Sequence, residues 1–138
     1  MYDVSIMLKK AALRLERMAN QILSPIGLTL SQFKVIMLLL LEHNDGARLA
    51  DIEDAFCLTH PSAIGIVDNL EKAGFVTRLQ NPSDRRSRLV CLTVKARAMK
   101  HILYDAGDRI ERAICAPLSE AEQAQLTSAL KKIIGSEQ

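Results

Sequence analysis

Apolar residues recur every three to four positions through Val4, Met7, Leu8, Ala11, Leu15, Met18, Ala19 and Ile22. That period predicts one long amphipathic helix over residues 3–23, ended by Ser24-Pro25 and Gly27. From Phe33 to His43 the chain is apolar on nearly every side, which predicts a second helix, capped by Ser31, at the centre of the core. Asn44-Asp45-Gly46 closes it. A short third helix is expected from Arg48 to Phe56, with Leu49, Ile52 and Ala55 on one side and Asp51, Glu53 and Asp54 on the other. Cys57-Leu58 forms the next turn, and Thr59 caps a fourth helix from His60 to Ala73. Gly74 stands where a left-handed C-cap belongs, and Pro61 fits a first turn that lacks no donor.

The period then changes. Phe75 to Leu79 reads as a strand, residues 80–88 as a basic turn, and Leu89 to Leu92 as the returning strand. Thr93 caps a fifth helix running to about Ala116, and Pro117-Leu118-Ser119 introduces a sixth from Glu120 to Ile134. Two short helices joined by a tight turn and followed by a hairpin make a winged helix-turn-helix. The expected fold is mainly α with a small β-hairpin wing. One domain spans 1–138, with the winged helix-turn-helix at about 31–93 and flanking helices at about 3–23 and 94–134.

A chain of 138 residues with 49% hydrophobic content can bury one core, and it contains no tryptophan. Val35 to Leu41 is the longest apolar run, too short for a bilayer, and the N-terminus lacks a signal-peptide plan. A cytoplasmic location with no membrane partner is therefore expected. Cys57, Cys91 and Cys115 are odd in number and set in apolar context, which predicts reduced, buried thiols. A redox sensor would need an exposed thiol in an electropositive spot, and only Cys91, near the arginines, comes close.

Net charge is +2, but it is unevenly distributed. Lys72 to Lys100 carries +7, against −3 for residues 1–71 and −2 for residues 101–138. Such a concentration is the electrostatic footprint of a nucleic-acid surface, with an ordinary solvated charge run as the alternative.

Three pieces then occur in a telling order: Val67-Asp68-Asn69-Leu70-Glu71-Lys72-Ala73-Gly74-Phe75-Val76, Asn81-Pro82-Ser83-Asp84-Arg85-Arg86-Ser87, and Val90-Cys91-Leu92-Thr93. They resemble the recognition-helix end, wing tip and return strand of the MarR (multiple antibiotic resistance regulator) family of bacterial transcription factors. The resemblance covers almost the whole chain. It implies a homodimer on a palindromic operator in double-stranded DNA, usually a repressor, released by a small aromatic or phenolic effector, an oxidant or a metal. It also implies that the first, fifth and sixth helices dimerise. The apolar stripes at both ends, including Ala113, Ile114, Leu118, Leu126, Leu130, Ile133 and Ile134, point the same way.

The family's wing-tip pattern of an acid holding an arginine toward the minor groove falls here on Asp84 and Arg86. Arg78, Arg85 and Arg88 are expected on phosphates. Base reading is expected from Thr59, His60, Ser62 and Ala63, then Gly65 and Asn69, with Thr59 serving chiefly as the helix cap. Many members carry arginine where this chain has Gly65. Base-specific affinity is then low, or the operator is read through the wing and through shape.

His43, His101 and Asp105 are similar to part of the site in zinc-responsive members, but the remaining ligands are not evident. Cys57 and His60 straddle a turn, and a pair does not close a site. No metal or other cofactor is expected, and the effector pocket is left unassigned. Alternative readings are a zinc- or redox-responsive regulator of the same fold, or a protein-interaction or antirepressor module that has lost base reading. An enzyme is not expected, because no Ser-His-Asp order, phosphate-cradling glycine loop or paired carboxylates in a cleft can be assembled.

Overall fold

A computed structural model describes residues 3–135. The order is α1 (Val4–Leu23), a 3-10 turn (Ser24–Ile26), α2 (Leu30–Leu41), α3 (Leu49–Phe56) and α4 (His60–Lys72). There follow β1 (Val76–Asn81), β2 (Asp84–Leu92), α5 (Val94–Ala98), α6 (Lys100–Cys115) and α7 (Glu120–Gly135). The fold is mainly helical, with one two-stranded antiparallel hairpin as the wing.

Helix α2 runs through the core as its apolar pattern requires. Its Val35, Ile36 and Leu39 are fully buried against Leu23, Ile52, Val67, Leu70 and Leu103 from four other helices. Removing a side chain of this kind from water stabilises the fold by about 1.5–3 kcal/mol. The α2 cap is Thr29 rather than the expected Ser31. Thr29 Oγ1 accepts from the Gln32 amide at 3.3 Å while Gln32 Oε1 accepts from the Thr29 amide at 3.0 Å. This reciprocal box satisfies two orphan donors at once and starts the helix earlier.

Gly74, with φ +83°, ends α4 as expected, letting the Phe75 amide reach Leu70 O at 2.9 Å. The hairpin turn is shorter than the predicted 80–88, since only Pro82 and Ser83 separate the strands. Asn81 Oδ1 accepts from the Ser83 amide at 3.0 Å, an Asx turn that reverses the chain in so few residues.

The predicted fifth helix is broken. Met99 (φ −90°, ψ 9°) separates α5 from α6. The break falls where the packing partner changes: α5 lies against β2, whereas α6 runs along α1. Helix α7 has no buried residue, and Val4, Ile6, Met7, Leu8 and Leu13 of α1, Ile102 of α6, and Leu126, Ile133 and Ile134 of α7 are exposed. No single helix among the described residues is long and apolar enough to cross a membrane.

Candidate nucleic-acid interface

Helix α4 begins with a hydroxyl pair. Thr59 Oγ1 accepts from the Ser62 amide at 3.3 Å and donates to Ser62 Oγ at 2.9 Å, so Thr59 acts as the cap. Beyond it, His60, Ser62, Gly65 and Asn69 are exposed. Ser62, Gly65 and Asn69 stand three and four residues apart, which places them on one face of the helix. Ala63 is the exception. It is 0% exposed, so the expected base reader is instead a core residue, because it falls on the α4 face with Val67 and Leu70.

The wing carries the cations. Strand pairing runs regularly from Val76↔Leu92 to Gln80↔Arg88, then jumps to Asn81↔Asp84. Arg85, Arg86 and Ser87 fall within the resulting bulge, a device that re-aims side chains. Asp84 Oδ1 accepts from the Arg86 amide at 3.0 Å and lies 3.7 Å from Arg86 Nε. The Arg86 side chain is 96% exposed. The expected Asp84–Arg86 pairing is thus present, carried mainly by the backbone of Arg86. Arg85 and Arg88 are likewise exposed and have no acidic partner among the described residues.

Arg78 departs from its expected place on a phosphate. Its Nη2 donates to Asp68 at 2.6 Å and its Nη1 to Glu71 at 2.8 Å, and its side chain is only 22% exposed. The guanidinium is already satisfied by α4 and ties β1 to that helix. Lys95 and Arg97 are also engaged with protein: Lys95 Nζ donates to Ala73 O at 2.8 Å, and Arg97 Nη2 to Asn44 O at 2.7 Å. Within the basic segment, Arg78, Lys95 and Arg97 thus brace the lobe, whereas three wing arginines face water.

Two contacts at this site were not foreseen from the sequence. Ala47 pairs with Val90 as a bridge, its amide reaching Val90 O at 3.0 Å, and so gives the wing a third backbone neighbour. Gly46, at φ +109°, permits that approach, because a Cβ there would lie 2.7 Å from Cys91 Sγ. A single paired residue has no period to betray it. The other contact is Glu53, whose carboxylate meets His60 Nδ1. By contrast, the acids that hold Arg78 had a readable signal, since Asp68 and Glu71 stand at i, i+3 on one helix.

The thiols differ from expectation. Cys57 is exposed, in the left-handed conformation at φ 52° that ends α3, and Cys91 and Cys115 are half-buried. Burial pushes the Cys91 thiol up, with Arg97 partly opposing it. His43, His101 and Asp105 are not gathered into a set of three ligating side chains, nor is any other such group found among the described residues.

An open reading helix beside a hairpin of exposed arginines defines a winged helix-turn-helix regulator of transcription. The MarR family profile matches residues 28–87. The multiple antibiotic resistance protein MarR of Escherichia coli is 30% identical over 131 residues, which cover 86% of this chain and 82% of that protein. The HTH-type transcriptional regulator YfiV of Bacillus subtilis is 34% identical over 101 residues, covering 72% of this chain and 61% of its own length. A crystal structure of a mutant E. coli MarR complexed with operator DNA matches with a TM-score of 0.83 at 26% identity, over 92% of this chain and 90% of that one. The chain belongs to the MarR family. These relatives are transcriptional regulators rather than enzymes.

Proposed function

We propose that this protein is a homodimeric, cytoplasmic repressor that grips a palindromic operator and leaves it when a small aromatic or phenolic effector binds. The observation that carries the reading is the set of Arg85, Arg86 and Arg88 on the wing, exposed and free of buried acids, beside the open face of α4. Arg86 then enters the minor groove, drawn by its negative potential, while Arg85 and Arg88 meet phosphates. His60, Ser62 and Asn69 face the major groove, with Thr59 offering its helix N-terminus to a phosphate.

Dimerisation is supported by the uncovered apolar stripes of α1, α6 and α7. Twofold symmetry sets the two α4 helices about one DNA turn, ~34 Å, apart. In this reading residues 1–138 form one regulatory unit, with the reader at about 31–93 and the dimerisation helices at 3–23 and 94–134.

A cleft of about 550 Å³ opens between α1, α2, α6 and the end of α3, lined by Leu15, Phe33, Met37, Leu38, Phe56 and Ile110. Its volume suits one small organic molecule. Lys34 shares its rim with Glu42, Asp108 and Glu111, a balance that favours an uncharged phenol over a carboxylate. Lying between the terminal helices and the reader, the cleft lets occupancy shift the spacing of the two α4 helices.

Fluorescence anisotropy with DNA from around its own gene tests the reading. Selective binding by a dimer is expected, with the log–log salt slope steepening by about 0.9 for each neutralised phosphate. Arg86→Ala should weaken it. Equal competition by a scrambled duplex would instead favour the antirepressor reading, whose specific support is Gly65 in place of a base-reading arginine.

A further inference from the structure

We propose that Glu53 determines base specificity through His60, by holding the imidazole in the tautomer whose Nε2 accepts a hydrogen bond. The operator is then read at that point for an exocyclic amine, adenine N6 or cytosine N4, rather than for guanine. This inference rests on the DNA reading proposed above.

Glu53 lies on α3 and His60 opens α4, so the pair spans the turn between the two helices. His60 Nδ1 is 3.3 Å from Glu53 Oε1 and 3.4 Å from Oε2, a shared contact with both carboxylate oxygens. An ionised carboxylate can only accept, so Nδ1 must carry the proton. In the neutral ring, which has one N–H, Nε2 is then left with its lone pair, whereas the imidazolium would donate from both nitrogens. No described residue engages Nε2. The His60 side chain is 63% exposed, whereas that of Glu53 is 21% exposed. One group faces the groove and the other sets its polarity.

The consequence follows from the pattern of base edges. In the major groove adenine and cytosine present an amine donor, whereas guanine presents two acceptors. An accepting Nε2 pairs with the first kind and is repelled by the second. The usual arginine would add a donor nearby, but Gly65 supplies none, so the signature of His60 is not masked. A purely structural role for the pair, joining α3 to α4, would leave base preference untouched.

Two measurements at about pH 8.5, two units above the ordinary imidazole value, test the proposal. Nitrogen-15 NMR of the free protein, with His60 assigned by His60→Gln, should show Nδ1 protonated in the parent. In Glu53→Ala the ring should revert to the Nε2–H form. Selection from random duplex should enrich adenine or cytosine at one position per half-site. His60→Ala should lose that enrichment alone, and Glu53→Ala should move the amine-to-guanine ratio there by about fivefold toward guanine.

A parent ring with protonated Nε2 overturns the proposal, as does Glu53→Ala selecting like the parent or His60→Ala keeping the enrichment. A parent that enriches no sequence at all overturns the DNA reading itself, and the NMR result distinguishes that failure from the narrower one. Should Glu53→Ala unfold, Glu53→Lys serves in its place. Its ammonium donates to Nδ1 and forces the Nε2–H tautomer, so the same shift toward guanine is expected.

Discussion

Arg78 and Asp68 bind each other at 2.6 Å, and this contact, with Glu71 at 2.8 Å, fastens the first wing strand to α4. Arg78→Ala should loosen the wing, weaken operator binding and lower stability by about 1 kcal/mol in a urea titration. The salt slope decides what kind of loss this is. A clamp leaves the slope unchanged, whereas loss of a phosphate contact lowers it by about 0.9, the result expected for Arg88→Ala.

Gly65 lies exposed in the middle of α4, and a Cβ there would meet nothing within 4 Å. Gly65→Arg should therefore fit without strain and stabilise the helix by up to ~1 kcal/mol through backbone entropy alone. It should also tighten operator binding and add a preference for guanine in selected DNA. A higher melting temperature without a change in selection would place residue 65 away from the bases.

Asp51 closes the start of α3. The backbone amide of Arg48, donating at 2.9 Å, holds its carboxyl below the ordinary value near 3.8, and the Arg48 guanidinium adds to this. A depressed folded value contributes stability above the unfolded value and loses it as pH falls below. Asp51→Ala should cost about 1 kcal/mol at pH 7 by removing the cap. The difference between parent and variant in urea titrations should shrink toward zero as pH falls below the ordinary carboxylate range and Asp51 protonates.

The thiols should label in order of access. Cys57 is open to water, whereas Cys91 is half-buried with its thiol pushed up. In single-cysteine variants at about pH 8, a disulfide reagent should modify Cys57 well before Cys91, and urea should abolish the difference. Faster reaction at Cys91 would revive a sensor role for it.

Much of this protein is legible in its linear order, because helix periods, caps and turns depend on residues within about four positions of one another. Val4 to Ile22, the start of α4 at Thr59, and Gly74 as its stop were readable for that reason. The pairing of Asp84 with Arg86 came instead from the resemblance to the family's wing tip. What escaped depends on partners distant in the chain. Ala63 turned inward because the core lies on that side of α4, and the Ala47–Val90 bridge joins positions 43 residues apart.

Charge shows the division most plainly. From order alone, the cations between Lys72 and Lys100 are one cluster. Folding brings Asp68 and Glu71 to Arg78, Ala73 O to Lys95 and Asn44 to Arg97, and leaves Arg85, Arg86 and Arg88 in water. A cation that already donates to oxygens of the protein is satisfied inside it, and one that does not can be offered to a polyanion. That separation is a matter of distances in space, so only the tertiary structure could decide it.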